Sequence, residues 1–195
     1  ELMNLREVIA AFVEFREEVI TRRTAYELRR ARERAHVLAG LLVALVNLDP
    51  VIELIRAASD PVVARERLMS KDWLAGDVAE FIELIDDPGH EVVDGRYHLS
   101  EAQARAILEL RLQRLTGLEQ DKLVNETEEL SEKILGYLEI LTSRLRLLDV
   151  LREELNEISD KFGDDRRTEI EPNEFEHDIE DLIQREDMVV TVTNG

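Results

Sequence analysis

A repeat of seven residues dominates the later part of this 195-residue chain. One apolar series occupies every seventh position, and a second lies between its members. The first series is Ile134, Leu141, Leu148, Leu155 and Phe162; the second is Tyr137, Leu151 and Ile158, with Arg144 as the one charged interruption. A single helix cannot bury so narrow an apolar stripe, so it needs a facing helix. The repeat therefore predicts that Leu118–Phe162 is one long helix of a coiled coil.

The facing helix is predicted at the start of the chain, over residues 1–48. Leu5–Leu48 contains no proline, and Leu5, Phe12, Val19 and Tyr26 share one heptad position. The apolar seam restarts in another phase at Leu28, so we expect a change of winding or a bend near Ile20–Ala25. Short connections favour an antiparallel return over residues 118–163.

Residues 49–117 are predicted to form a small globular helical domain between the two long helices. Four helices are expected there, over Asp49–Ala58, Asp60–Ser70, Asp72–Ile85 and Ser100 to about Leu115. Ser100 and Gln103 form a Ser-x-x-Gln capping box, and the turn-rich residues 86–95 form the loop that we expect to be most mobile. The predicted fold is mainly α: a long antiparallel coiled-coil hairpin with a small globular helical domain at its tip.

Residues 164–195 have a different pattern. Glu171–Asp178 is acidic and polar around a proline, as in a linker, and Ile179–Gln184 is expected to be a brief helix. Met188–Thr193 is rich in β-branched residues and predicts a short β-strand at the C-terminal end. A strand without a partner suggests a further β-domain. The start of the chain, directly in a helical pattern, suggests a piece of a longer protein.

Composition argues against several classes of function. The net charge of −19 argues against the whole chain wrapping nucleic acid or lying on an anionic membrane. The absence of cysteine excludes disulfides, thiolate zinc sites and cysteine nucleophiles. The longest apolar run, Leu41–Val46, is too short to span a bilayer, and no targeting signal precedes it. We therefore expect a soluble, cytoplasmic protein.

The sequence predicts no catalytic residue, no metal site and no cofactor. The four histidines, His36, His90, His98 and His177, are not spaced as metal ligands on one helix. No phosphate-binding loop, nucleophile elbow or glycine-rich dinucleotide motif is present, and paired acids lie in charged runs typical of a solvated surface.

Positive charge is concentrated in the first long helix. Arg22, Arg23, Arg29 and Arg30 lie close together there, followed by Arg32 and Arg34. One interpretation is pairing with glutamates of both long helices. The alternative is a local track for duplex phosphate, in which the first four arginines face DNA.

The segment Ala102–Leu118 is apolar on more than one face. Packing on one helix cannot use all of these side chains. One interpretation is a helix buried in the small domain; the preferred one is a self-complementary contact between two copies of the chain.

Long strings of the sequence resemble one family. Tyr97–Glu119, Phe162–Ile170, Asn4–Ile9, Thr21–Thr24 and Asn47–Arg56 are similar to the A subunit of bacterial DNA gyrase, a type IIA topoisomerase. The A subunit of topoisomerase IV is similar through the long helices and the apolar motif. Residues 166–170 and the segments after them look more like gyrase.

The resemblance implies a coiled-coil stalk and exit gate. In gyrase this gate releases DNA after ATP-dependent double-strand passage that introduces negative supercoils, and the final strand resembles the entrance to a β-pinwheel domain. The implied residues form a dimer interface and are not catalytic: Ile107, Leu108, Leu110, Arg111, Leu112, Leu115, Thr116, Gly117 and Leu118.

The same resemblance implies three partners: a second copy of the chain, the gyrase B subunit in an A2B2 complex, and double-stranded DNA in transit. ATP and Mg²⁺ would act through the B subunit, and no membrane is involved. An alternative of another class is a non-enzymatic antiparallel coiled-coil scaffold that only dimerises.

Overall fold

The structure is a computed structural model that describes residues 3–110 and 117–169, with the side chains of residues 117–119 left out. The chain divides into two units, residues 1–157 and 158–195. Among the described residues the elements are α1 (Leu5–Val46), α2 (Leu48–Arg56), α3 (Pro61–Ser70), β1 (Asp72–Leu74), α4 (Ala79–Ile85), β2 (Arg96–His98), α5 (Glu101–Glu109), α6 (Gly117–Thr142) and α7 (Arg144–Phe162). The predicted class, a mainly helical fold with a long N-terminal helix suited to a coiled-coil hairpin, is confirmed.

Helix α1 begins at a capping box and runs without interruption to Val46. The Asn4 side chain accepts a hydrogen bond from the Glu7 amide, and the Glu7 carboxylate accepts one from the Asn4 amide. The helix stays unbroken through Ile20–Ala25, so the change of heptad phase there involves no loss of helical structure. Helix α2 follows at an angle of 92°.

Asn47 forms the corner between α1 and α2. Its side-chain amide donates hydrogen bonds of 2.8 Å to the carbonyls of Val43 and Leu74. The second helix, predicted from Asp49, begins one residue earlier at Leu48, and Asn47 occupies its cap position.

The return segment is two helices and not the single helix that was predicted. Helix α6 ends at Thr142 and α7 begins at Arg144, so the break is confined to Ser143. The Thr142 hydroxyl donates to the Leu138 carbonyl at 2.8 Å, and the Ser143 hydroxyl accepts from the Arg146 amide at 3.4 Å. Adjacent hydroxyls that bond to the backbone compete with the helical ladder and bend helices.

The return segment is antiparallel to α1, as predicted. Glu17, early in α1, pairs with Arg144, whereas Arg34, later in α1, pairs with the earlier Glu126. Ile20 is fully buried and packs with Leu147 and Leu151 of α7.

The prediction of one helix over Asp72–Ile85 is wrong at its start. Residues 72–74 form β1, which pairs antiparallel with β2 and places Trp73 opposite Tyr97. Gly76 then adopts φ +54°, which glycine tolerates and which ends the extended segment. A 3₁₀ turn, Gly76–Val78, leads into α4.

Trp73 anchors the small domain. It is 1% exposed, and its indole N–H donates to the Leu68 carbonyl at 2.8 Å. Buried tryptophan usually needs such a partner for its N–H group, so this bond fixes α3 against β1.

Helix α5 confirms the predicted capping box. The Ser100 hydroxyl accepts from the Gln103 amide, and the Gln103 side chain accepts from the Ser100 amide. The helix ends at Glu109, where Leu110 becomes extended, and therefore before the predicted end near Leu115. Residues 111–116 lie outside the described part of the chain.

The predicted helix Ile179–Gln184 and strand Met188–Thr193 also lie outside the described residues. Residues 163–169 contain no helix or strand. The proposed division at residues 48, 117 and 163 into stalk, gate domain and linker stays a prediction.

Helices α1 and α5 approach each other closely at Gly40. A Cβ atom added there would lie 2.5 Å from both Cβ and Cγ of Gln103, whose side chain is fully buried. Gly40→Ala should therefore destabilise the protein by about 1–3 kcal/mol through overpacking, although alanine favours a helix. Denaturation in urea measures this change.

Gly136→Ala is the matched control. Gly136 also lies within a helix, α6, but a Cβ there meets nothing within 4 Å. This substitution should be neutral or stabilising by up to about 1 kcal/mol. Equal unfolding midpoints for the two variants would show that the Gly40 contact imposes no constraint.

Candidate functional site

The predicted contact motif, residues 107–118 and called the α5 motif below, begins at the end of α5. Its described residues differ in burial. Ile107 is 0% exposed and belongs to the chain's own core, so it supports a surface from beneath. Leu108 and Leu110 are half-buried and pack against that core. Among the described residues of the motif, Leu108 and Leu110 are therefore the ones whose side chains remain partly exposed to solvent.

The remaining residues of the motif cannot be placed in the same way. Arg111, Leu112, Leu115 and Thr116 lie outside the described residues. Gly117 begins α6, and the side chain of Leu118 is not described. Their assignment to a dimer interface stays a prediction.

An open groove beside α5 adds residues that sequence reasoning missed. It has a volume of about 330 Å³ and lies between α3 and α5. Val62, which is 53% exposed, lines it together with Leu108. Arg65 and Arg105 both bind the Glu101 carboxylate at 3.1 Å beside it. The combination of an apolar floor and a charged rim is typical of a contact surface.

A buried hydrogen-bond network holds α5 in place. The Gln103 amide donates to the His36 carbonyl at 2.6 Å and to the Tyr97 hydroxyl at 2.8 Å. The His36 ring Nε2 lies 2.7 Å from the Ser100 hydroxyl. Burial raises the pKa of Tyr97 above its ordinary value, so its hydroxyl keeps its proton at neutral pH. Sequence analysis identified Ser100 and Gln103 only as a helix cap.

His36 also belongs to a second cluster, with Asp87 and His90. Its Nδ1 lies 2.8 Å from a carboxylate oxygen of Asp87, and its ring centroid is 5.0 Å from that of His90. Burial lowers the pKa of His36, opposed by the Asp87 carboxylate and assisted by His90. Helix spacing gave no sign of this cluster because its members come from α1 and a distant turn.

The four candidate DNA-facing arginines have different surroundings. Arg22 pairs with Glu18 one helical turn away at 2.5 Å, and Arg23 pairs with Glu154 of α7. Arg30 lies over the Tyr26 ring, 6.0 Å from its centroid. Arg29 lines a cleft of about 620 Å³. Arg22 and Arg23 therefore pair with glutamates, as the first interpretation predicts. Arg29 and Arg30 have other contacts.

Ion pairs between α1 and the return helices flank the apolar seam. Arg34 binds Glu126 through two hydrogen bonds of 2.6 and 2.9 Å, and Arg144 binds Glu17 at 3.1 and 2.8 Å. The hydrogen bond from Arg34 holds the pKa of Glu126 below its ordinary value. These fork-shaped pairs set the antiparallel alignment.

A double-mutant cycle measures the Arg34–Glu126 pair. Because the Arg34 and Glu126 side chains are 52% and 34% exposed, solvent screening limits the expected coupling energy to about 0.5–1 kcal/mol at pH 7. Arg34→Gln, Glu126→Gln and the double variant should show this coupling in urea unfolding. No coupling at pH 7 and low salt would show that the pair does not stabilise the fold.

The same coupling should depend on pH in a defined direction. Since the folded-state pKa of Glu126 is lowered from 4.5, the stabilisation is present above that value. It should disappear as the pH falls through the folded-state pKa. The cycle repeated across this range checks the sign.

These contacts define an antiparallel coiled coil joined to a small, mainly helical domain with an exposed apolar groove. The family model for the A subunits of DNA gyrase and topoisomerase IV matches residues 1–156. The chain belongs to this family, and the resemblance identified from the sequence is confirmed.

The chain is about half identical to curated DNA gyrase A subunits. Identity is 52% to that of Rickettsia bellii, over all of this chain and 22% of the relative. It is 51% to that of Salmonella typhimurium, over all of this chain and 23% of the relative. For Pseudomonas aeruginosa it is 48%, over 99% of this chain and 22% of the relative. The chain thus spans between a fifth and a quarter of these relatives' length.

Within the described residues, no single helix is long and apolar enough to cross a membrane. The bent pair α1 and α2 has the length and apolar composition of a membrane span only when the two helices are taken together.

Proposed function

We propose that this chain is the stalk and exit-gate region of a DNA gyrase A subunit. Two copies would meet through the α5 motif and close a gate. The complete enzyme would introduce negative supercoils by ATP-dependent double-strand passage and release the transported DNA through this gate. The observation that carries the proposal is the antiparallel coiled coil leading to the exposed apolar groove beside α5, in a chain of this family.

The contacts suit a mechanical role. Release of a DNA segment requires two copies to separate and rejoin, so their interface must be moderate in area and self-complementary. Leu108 and Leu110 are half-buried and Val62 is exposed, which gives a limited apolar surface. Ile107, fully buried beneath them, anchors the helix that presents this surface.

The stalk would transmit the separation as a stiff element. Ile20, Leu147 and Leu151 fill the seam, and bidentate arginine–glutamate pairs flank it. The break at Ser143 is the place where bending costs least, because the helical ladder is already interrupted there. We therefore place the proposed hinge of the stalk at Ser143, and the bend expected near Ile20–Ala25 stays a prediction.

The chemistry of strand passage would belong to other parts of the assembly. We propose that the chain works as a homodimer with the gyrase B subunit in an A2B2 complex, with ATP and Mg²⁺ used by the B subunit. In this proposal the chain contributes no catalytic residue and acts in the cytoplasm on double-stranded DNA in transit.

Light scattering across a dilution series tests the gate interface. The 195-residue chain should have the mass of a dimer at micromolar concentration, and Leu110→Glu should convert it to a monomer because a charge would be buried at the contact. The matched control is Leu145→Glu, since Leu145 is 77% exposed on α7. A wild-type monomer at every concentration, or a Leu110→Glu dimer, would contradict the proposed surface.

The complete enzyme distinguishes a gate from a scaffold that only dimerises. Leu110→Glu in the full-length protein, combined with the B subunit, should impair ATP-dependent supercoiling, with Leu145→Glu as the control. Full supercoiling activity in a variant whose gate contact is lost would favour a passive scaffold. Relaxation without supercoiling would favour topoisomerase IV.

We further propose that Arg22, Arg23, Arg29 and Arg30 face the DNA as it passes. Since Arg22 and Arg23 already pair with glutamates, Arg29 and Arg30 should contribute most. Arg29→Gln with Arg30→Gln should lower the salt concentration at which the complete enzyme loses supercoiling activity. Arg152→Gln is the control, because Arg152 pairs with Asp149 on α7. If the salt concentration at which supercoiling is lost does not change, these residues do not face the DNA.

A further inference from the structure

We propose that His36, Asp87 and His90 form a binding site for Zn²⁺ or a similar transition-metal ion. Their candidate ligand atoms all lie within 4.8 Å of one another. Two imidazole nitrogens and one carboxylate oxygen are donors that zinc binds in proteins, at about 2.0–2.2 Å. The proposal of this site does not rest on the proposed gate function, because none of the three residues belongs to the α5 motif.

The turn that carries Asp87 and His90 brings their side chains to the same place. The sequence Asp87-Pro88-Gly89-His90 has the signature of a type II turn, with proline and then glycine at its centre. Gly89 has φ +88°, and the His90 amide donates to the Asp87 carbonyl at 3.1 Å. A turn closed in this way is pre-shaped and loses little entropy when an ion binds.

The surroundings of the His90 ring also favour an ion at this site. Its ring Nδ1 is buried and has no hydrogen-bond partner among the residues that the structure describes. Leaving a buried ring nitrogen without a partner is unfavourable. An ion between His90, His36 and Asp87 would satisfy it.

His36 has the supporting contact that a metal ligand needs. With Nδ1 on the ion, Nε2 carries the ring proton and donates to the Ser100 hydroxyl, 2.7 Å away. Such a bond fixes the tautomer and the ring orientation of metal-binding histidines. The 2.8 Å contact between His36 and Asp87 would be exchanged for two coordinate bonds.

The fourth coordination position would be open to water. His36 and Asp87 both line the cleft of about 620 Å³, which provides a path for the ion. Because His36 lies on α1 and the other two ligands lie in the turn after α4, the ion would link that turn to the long helix.

Metal titration of the 195-residue chain tests the site. The protein, without a histidine tag, is treated with EDTA, desalted and titrated with Zn²⁺ in a calorimeter. One equivalent should bind, and Asp87→Asn and His90→Gln should each weaken binding about 100-fold or more, since even a supporting residue contributes about 10–100-fold. Co²⁺ should give the visible absorption of a four-coordinate nitrogen and oxygen site, and His90→Gln should abolish it.

His98→Gln is a matched control. His98 also pairs with an aspartate, Asp72, at 2.6 Å, but within the described residues this pair belongs to no such cluster. His98→Gln should leave the affinity unchanged. Urea unfolding in EDTA shows whether each variant folds, and Zn²⁺ should raise the midpoint of the wild type but not that of His90→Gln. No binding at micromolar Zn²⁺, or equal affinity in wild type and His90→Gln, would overturn the proposal.

Discussion

The close approach of α1 and α5 at Gly40 is the constraint on which the small domain depends. Only a glycine lets the buried Gln103 side chain lie against α1, since an added Cβ would come within 2.5 Å of it. From that position Gln103 reaches the His36 carbonyl and the Tyr97 hydroxyl, and it also caps its own helix. One side chain thus joins the long helix, the small sheet and α5, and its buried amide group is fully paired within this network.

The two halves of the structure are stabilised by different means. In the stalk, apolar burial around Ile20 and Leu147 provides the stability, while partly exposed ion pairs such as Arg34–Glu126 fix the alignment. In the small domain, a core centred on Trp73 is combined with buried hydrogen bonds. An apolar seam tolerates small shifts, whereas a buried polar network tolerates few, so the domain that presents α5 is the more strictly determined part.

The sequence predicted the features that depend on local pattern. Heptad spacing identified the long first helix and the helical return segment, although not the break at Ser143. Ser100 was identified as a helix cap because capping is decided within four residues. The strand at Trp73 was missed because its pairing with Tyr97 is a long-range contact, and its spacing also fits a helix. The cluster of His36, Asp87 and His90 was missed for the same reason: the turn signature was visible, but its proximity to α1 was not.

His36 connects these long-range features to the surface proposed for the gate. Its carbonyl accepts from Gln103 and its Nε2 contacts Ser100, so both residues of the α5 capping box bind to it. Its Nδ1 contacts Asp87 in the turn after α4. Because the ring is rigid, a rotation that improves one nitrogen's contact disturbs the other's. One imidazole therefore contacts both the turn after α4 and the start of α5.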